Sequence, residues 1–202
     1  MRTLKLRLIL LAVFAAVTLA VPLGIIWRHE ATLRHGALHK FRAAPVDPYD
    51  AFRGRYVQLS FADNTCKRAD ADGDAQGGSL WYVRLGVDAE GFSVPVEAGR
   101  KPPKDGDFLI VDEAGYYSGE KSLRINYPFT RYYLPEDIAP EAEALYRKTT
   151  RNNLAAPDAS GDEKRKPTYA AVRVRNGAAV IEELFIGGVP VRDALKAQGK
   201  DL

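Results

Sequence analysis

The sequence predicts a mainly β protein, in which a single N-terminal transmembrane helix is followed by a small antiparallel β-barrel or sandwich with one inserted helix. Residues 8–27 carry no charged side chain. After them, short stretches of alternating apolar and polar residues recur between Gly- and Pro-containing turns, which is the pattern of half-buried antiparallel strands. One late segment, residues 140–151, has helical apolar spacing instead, so we expect one helix within the β domain.

Length and composition suit one globular domain and an anchor. The chain has 202 residues, of which 46% are hydrophobic and 10% aromatic, so a folded core is expected rather than disorder. The net charge of +3 equals the contribution of Arg2, Lys5 and Arg7, and the remainder of the chain is neutral. A neutral domain lacks the basic surface that nucleic-acid binding requires, so no nucleic-acid partner is expected.

Residues 1–28 predict a cytoplasmic basic n-region followed by a transmembrane signal anchor. At about 1.5 Å per residue, a helix over residues 8–27 is about 30 Å long, which is the thickness of the hydrocarbon core of a bilayer. This is longer than the h-region of a cleaved secretory signal. Cleavage after Ala20 is the alternative, but the apolar run continues through Ile26. We therefore expect a retained anchor, with membrane lipid as its partner.

The basic n-region also predicts the orientation of the anchor. Three basic residues precede the apolar run, but a similar number follows it before residue 43, so the charge asymmetry across the segment is small. A basic n-region ahead of an apolar run is typical of a signal anchor with a cytoplasmic N-terminus. We expect a single-pass protein of the cytoplasmic (inner) membrane, with residues 29–202 forming a soluble β-rich domain on the extracytoplasmic side.

Residues 45–61 are the segment to which we give most weight. Asp47 is suited to cap a helical turn that begins with Pro48, and Gly54 permits the positive φ that ends such a turn. The residues that follow alternate between polar and apolar, which predicts a strand with one face on a core. Asp47 and Asp50 can also be interpreted as an acid–base pair, but capping accounts for both carboxylates.

The other elements follow from alternation and from turn residues. Strands are predicted over residues 37–44, 80–87, 92–96, 108–111, 122–127 and 130–134, and a hairpin over residues 168–175 and 178–186. Asn176 and Gly177 mark the hairpin, because Asn-Gly supplies the two positive φ values of a type I′ turn. Polar segments without periodicity predict mobile loops near residues 64–79 and 152–166. A further loop is predicted over residues 112–121, and a short tail from residue 189.

No catalytic, cofactor or metal site is predicted. Cys66 is the one cysteine of the chain, which fits neither a disulfide nor a zinc spacing, so we expect a loop thiol. His35 and His39 have no third ligand nearby and are expected to be surface or interfacial histidines. Residues 70–74 are similar to a calcium loop, but Gly73 falls at position four rather than six. We expect a solvated loop there, with weak calcium binding as the alternative.

Two segments resemble the markers of a known family. Residues 54–61, GRYVQLSF, resemble the signature of the GDYXXLXY family of membrane-anchored bacterial proteins of unestablished function, and the residues before them, including Arg53, fit its lead-in. Residues 131–136, RYYLPE, are similar to its second marker, an aromatic pair followed by a Pro-Glu step into a helix. The signature departs at Arg55, where the family has Asp, and at Phe61, where it has Tyr. The resemblance implies an extracytoplasmic domain that works beside, or joined to, a multi-span membrane protein.

The sequence therefore predicts an accessory or binding domain that partners a polytopic integral membrane protein, and not an enzyme. Two alternatives stay open: a signal-peptidase-like β fold without catalytic residues, because residues 46–52 hold no Ser, Thr or Cys, and a weakly metal-sensing envelope domain. Tyr116 and Tyr117 are candidate aromatic contacts. The motif and candidate interaction residues are Asp47, Pro48, Arg53, Gly54, Tyr56, Leu59, Tyr132, Tyr133, Pro135 and Glu136.

Overall fold

The computed structural model describes residues 2–45, 56–69, 80–112, 114–116, 122–155 and 167–199. It confirms the predicted fold class: an N-terminal apolar helix is followed by mostly antiparallel β-sheets. The elements are α1 (Arg2–His35), β1 (Ala37–Ala44), β2 (Tyr56–Gln58), β3 (Ser60–Phe61), β4 (Thr65–Arg68), β5 (Trp81–Val87), β6 (Ser93–Gly99), β7 (Phe108–Val111), β8 (Ala114–Tyr116), β9 (Ser122–Ile125), β10 (Arg131–Tyr133), α2 (Ala139–Ala155), β11 (Tyr169–Arg175), β12 (Ala178–Ile186), β13 (Val189–Pro190) and α3 (Val191–Lys196).

Helix α1 leads directly into the β-rich domain that follows Gly36, which we call the head, and packs against it. Over Ile9–His35 it is long and apolar enough to cross a membrane, and its apolar side chains are exposed. The helix extends beyond residue 28, where the sequence placed the end of the anchor, and its last turns contact β11 and β12. Thr32 is buried there. The chain then turns at Gly36, where a Cβ atom would lie 2.5 Å from the Thr32 carbonyl oxygen, so only glycine fits without a shift.

Three sheets are formed by the described strands. A five-stranded sheet has the order β13-β12-β11-β1-β3, a six-stranded sheet has the order β7-β5-β6-β4-β9-β8, and β2 pairs with β10 in a two-stranded ribbon. All strand pairs are antiparallel except β4 with β6. The inward-facing side chains of all three sheets, together with those of α2 and α3, contribute to one hydrophobic core. Burial of this apolar surface is the main stabilising contribution to such a fold.

The C-terminal hairpin ties the sheets together. Asn176 has φ 49° and Gly177 has φ 81°, as the predicted type I′ turn requires. The turn packs on the six-stranded sheet, because the backbone N–H of Ile110 donates to the Gly177 carbonyl at 3.0 Å. A Cβ atom at position 177 would overlap the Ile110 side chain. The glycine is thus required both by its φ and by this close approach.

Three predicted irregular segments contain regular structure. Thr65–Arg68 within the expected loop 64–79 is strand β4, and Ala114–Tyr116 within the expected loop 112–121 is strand β8. Each is too short to show alternation, and each is ordered by pairing with β9. The expected tail is β13 followed by α3, which buries Val191 and Leu195. The head therefore contains a second helix besides α2, and α2 itself extends four residues beyond the predicted end, to Ala155.

Candidate functional site

The strand that carries the first motif changes its partner at Leu59. Residues on its N-terminal side, β2, pair with β10, and residues on its C-terminal side, β3, pair with β1 of the five-stranded sheet. At the change of partner, the backbone N–H of Leu59 donates to the Thr130 carbonyl at 2.8 Å. Val57, Leu59 and Phe61 are buried, as the alternation predicts. This segment therefore joins the ribbon to the main body of the head.

The two sequence motifs pair directly with each other. Tyr56 lies opposite Tyr133 in the register of β2 and β10, and their ring centroids are 5.7 Å apart in an edge-to-face arrangement. The guanidinium carbon of Arg131 lies 5.3 Å from the centroid of the Tyr56 ring. Tyr133 is 66% exposed, whereas Tyr56 is half-buried. We call Tyr56, Arg131 and Tyr133 the aromatic ribbon.

Tyr132 faces the opposite way from the aromatic ribbon and has a structural contact. Its hydroxyl donates to the Glu183 carboxylate on β12 at 2.8 Å. Burial, followed by this hydrogen bond to a carboxylate, raises the pKa of Tyr132 above its usual range, because both favour the neutral phenol. Of the predicted aromatic pair, Tyr133 is thus the exposed member and Tyr132 fastens the ribbon to the five-stranded sheet.

Pro135 and Glu136 lead into helix α2, which packs against the motif strand β2. The Pro135 carbonyl accepts hydrogen bonds from the N–H groups of Ile138 and Ala139, and Glu136 is exposed in this turn. Farther along α2, the fully buried Tyr146 donates its hydroxyl to the Ala44 carbonyl at 2.8 Å. Burial raises the pKa of Tyr146 to about 12. Helix α2 therefore fixes the point at which β1 and β3 meet.

The departure at Phe61 lies in an aromatic cluster. The ring of Phe61 has its centroid 5.1 Å from that of Tyr127, 5.3 Å from Phe129 and 6.0 Å from Phe41, and it is buried. Edge-to-face contacts of this kind stabilise a core without a hydroxyl group. Beside the cluster, an open groove of about 570 Å³ follows the motif strand and is lined by polar and apolar residues, among them Arg124 and Ile125.

A group of three polar side chains, in which His39 and Ser93 are buried and Asp107 is exposed, was not predicted. Nδ1 of His39 lies 2.9 Å from Ser93 Oγ, and Nε2 lies 3.1 Å from Asp107 Oδ2. Because a carboxylate only accepts, Nε2 of His39 donates to Asp107, and Nδ1 shares the second hydrogen bond with the Ser93 hydroxyl. We call these three residues the His39 cluster. The residue types match those of hydrolase triads, but Ser93 is only 3% exposed, so the hydroxyl lies in the interior.

The expectations for the histidines and the cysteine are partly wrong. His35 is exposed as expected, but His39 is buried because its ring points inward from β1 between the two large sheets. Cys66 is a buried residue of β4 rather than a loop thiol. Burial, with a smaller effect of Glu97, raises the pKa of Cys66 to about 11. Within the described ranges, no three His, Cys, Asp or Glu side chains come close enough together to hold a metal ion.

Several candidate positions lie outside the described residues. These are the corner residues Asp47, Pro48, Asp50, Arg53 and Gly54, the calcium-like segment 70–74, and Tyr117. Of Tyr116, the structure gives the strand but not the side chain. The helical turn and the capping predicted for residues 47–54 remain predictions.

Comparison with known proteins gives one match. The model of the GDYXXLXY protein family matches residues 18–184, which is most of the chain. The matched range includes the motif strand, the aromatic ribbon, α2 and most of the C-terminal hairpin. Neither the curated proteins nor the solved structures gave a significant match.

Proposed function

From the premise that this chain belongs to the GDYXXLXY family, we propose that it is a membrane-anchored accessory domain that binds an integral membrane protein and catalyses no reaction. Helix α1 acts as a retained single-pass anchor in the cytoplasmic membrane, and the β-rich head lies on the extracytoplasmic side. The helix is long and apolar enough for this role, and the basic n-region favours this orientation.

The observation that carries the proposal is the aromatic ribbon. Two motifs that are distant in the sequence meet in a single pair of strands, and their pairing presents Tyr133 and Arg131 on the surface. Tyr and Arg are among the residues that contribute most to protein–protein affinity, because each combines a large contact area with directed polar groups. A tethered head searches in two dimensions for its partner, so a modest contact area is sufficient for association.

Site-specific photocrosslinking in native membranes tests the contact. A photoreactive phenylalanine analogue replaces Tyr133 in one variant and Val87 in the other. The two positions are matched in exposure, at 66% and 68%, and Val87 ends strand β5 of the six-stranded sheet, which does not pair with the ribbon. We expect a discrete protein adduct from position 133 and none from position 87. Equal adducts from both positions, or none from position 133, would contradict the proposal.

A topology reporter tests the orientation separately. An alkaline phosphatase fused after Leu202 is active only outside the cytoplasm, so activity of this fusion is expected. A matched fusion of a reporter that is active only in the cytoplasm should be silent. The reverse pattern would place the head in the cytoplasm and overturn the proposed location.

A further inference from the structure

We propose that the groove between α1 and the head binds the headgroup of an anionic phospholipid. This inference rests on the proposed membrane anchoring and adds a ligand to it. An open groove of about 530 Å³ lies where α1 leaves the sheets, which is within the range of small-molecule sites, roughly 300–1,000 Å³. Its helix side includes Ile25, Arg28 and Thr32, and its sheet side includes Ile110 and Val180.

The depth of the groove matches the headgroup layer. Trp27 ends the uncharged run of α1. Arg28 and Thr32 lie one and five residues beyond Trp27, which places them about 1.5 and 7.5 Å farther along the helix axis. The headgroup region on each side of the hydrocarbon core is about 5–8 Å thick. Ile25, two residues before Trp27, is then placed beside the upper part of the acyl chains.

The charge of the groove favours an anion. Arg28 and His29 line it, and none of its lining residues is acidic. None of the described carboxylates forms an ion pair with Arg28, whereas Arg34 on the same helix is paired with Glu30 at 2.7 Å. A guanidinium group held at the membrane surface without a carboxylate partner is suited to bind a phosphate, to which it can donate two parallel hydrogen bonds.

The apolar part of the lining decides between a lipid and a soluble phosphate. Ile25, Ile110, Pro128 and Val180 surround the same groove as the two basic side chains. A lipid presents a phosphate next to a glycerol backbone and acyl chains, so it satisfies both kinds of lining at once, whereas a free anion satisfies only the basic part. The groove therefore fits an anionic phospholipid with its headgroup at Arg28 and its glycerol against the sheet side.

Photolabelling of the full chain in lipid nanodiscs tests this assignment. Photoreactive phosphatidylglycerol and photoreactive phosphatidylcholine are compared, and labelled peptides are mapped by mass spectrometry. We expect phosphatidylglycerol to label peptides from the end of α1 and from β12. In Arg28→Gln this labelling should fall about fivefold, as expected for one basic group near an anionic surface. Val180→Glu, which adds a carboxylate to the sheet side, should lower it similarly.

Arg34→Gln is the matched control, because it removes the same charge from the same helix outside the groove, and its labelling should stay within about twofold of wild type. Equal labelling by the two lipids, or an equal loss in Arg28→Gln and Arg34→Gln, would overturn the inference. Flotation of each variant with liposomes separates this result from the proposed anchoring. Absence of phosphatidylglycerol labelling in the wild-type chain, with flotation intact, overturns the lipid site alone, and failure of the wild-type chain to float overturns the anchoring as well.

Discussion

The aromatic ribbon and the His39 cluster contain residue types that are common at functional sites, and they differ in access. Tyr133 in the ribbon is 66% exposed, whereas Ser93 in the cluster is 3% exposed. A nucleophile must contact a substrate and an interface residue must contact a partner, so the ribbon meets this requirement and the buried serine does not. Access, rather than residue type, distinguishes the proposed contact surface from the interior.

The two regions also differ in what they contribute to stability. His39 lies on β1 of the five-stranded sheet, and its two partners lie on β6 and just before β7 of the six-stranded sheet. The cluster therefore connects the two large sheets through satisfied polar groups, which costs less than leaving such groups unpaired. The ribbon is held by Tyr132 and α2, so the exposed ring of Tyr133 is available for binding.

The largest effect is expected for His39→Ala. The substitution removes the partner of Ser93 Oγ and of Asp107 and leaves a cavity between the sheets, so we expect the free energy of unfolding to fall by about 3 kcal/mol. Urea unfolding of the full chain in detergent measures it. Leu38→Ala, on the exposed face of the same strand, is the control, and its free energy of unfolding should fall by less than about 1 kcal/mol. Equal losses in the two variants would show that the cluster does not connect the sheets energetically.

The reactivity of Cys66 provides a second test of whether reagents reach the interior of the head. Its pKa of about 11 lies well above the value of about 8.5 for a free cysteine, so at pH 8 its thiolate fraction is lower by about two orders of magnitude. We expect alkylation by iodoacetamide to be slower by at least this factor than in the urea-unfolded chain, and to accelerate about tenfold per pH unit up to about pH 11. Equal rates in the folded and unfolded chains would show that Cys66 is accessible.

The substitution Ser93→Ala tests whether the His39 cluster has a chemical role. The substitution removes one buried hydroxyl and leaves Nδ1 of His39 without its hydrogen-bond partner, so we expect a loss of about 1 kcal/mol of stability. A fluorophosphonate probe should label the wild-type chain no more than the variant, since the hydroxyl is buried. Labelling that depends on Ser93 would refute the distinction drawn above and would indicate an enzyme.

The elements that the sequence predicts well are those with local determinants. The strand at residues 37–44, the strand at residues 108–111 and the hairpin around Asn176 all match the structure. Each has a clear alternation or a turn that admits few alternatives. Strands β4 and β8 were missed because each has three or four residues and depends on pairing with β9.

The arrangement of both candidate regions depends on long-range pairing. Ser93 and Asp107 are 54 and 68 residues from His39 in the sequence, and no local pattern joins them. The sequence identifies the tyrosines of the two motifs but not their contact, because the change of partner at Leu59 determines which strand faces β10. Propensity describes one strand at a time, whereas sheet order is a property of the whole chain.

The smallest effect on stability, with the largest effect on binding, is expected for Tyr133→Ala. The side chain is mostly exposed, so the free energy of unfolding should change by less than about 0.5 kcal/mol, while the amount of membrane partner that co-purifies should fall severalfold. Tyr132→Phe is the matched variant: it should lose about 1 kcal/mol of stability with the Glu183 hydrogen bond and keep its partner. If Tyr133→Ala retains its partner and Tyr132→Phe loses it, binding depends on the buried face of the ribbon, and the contact surface proposed here is wrong.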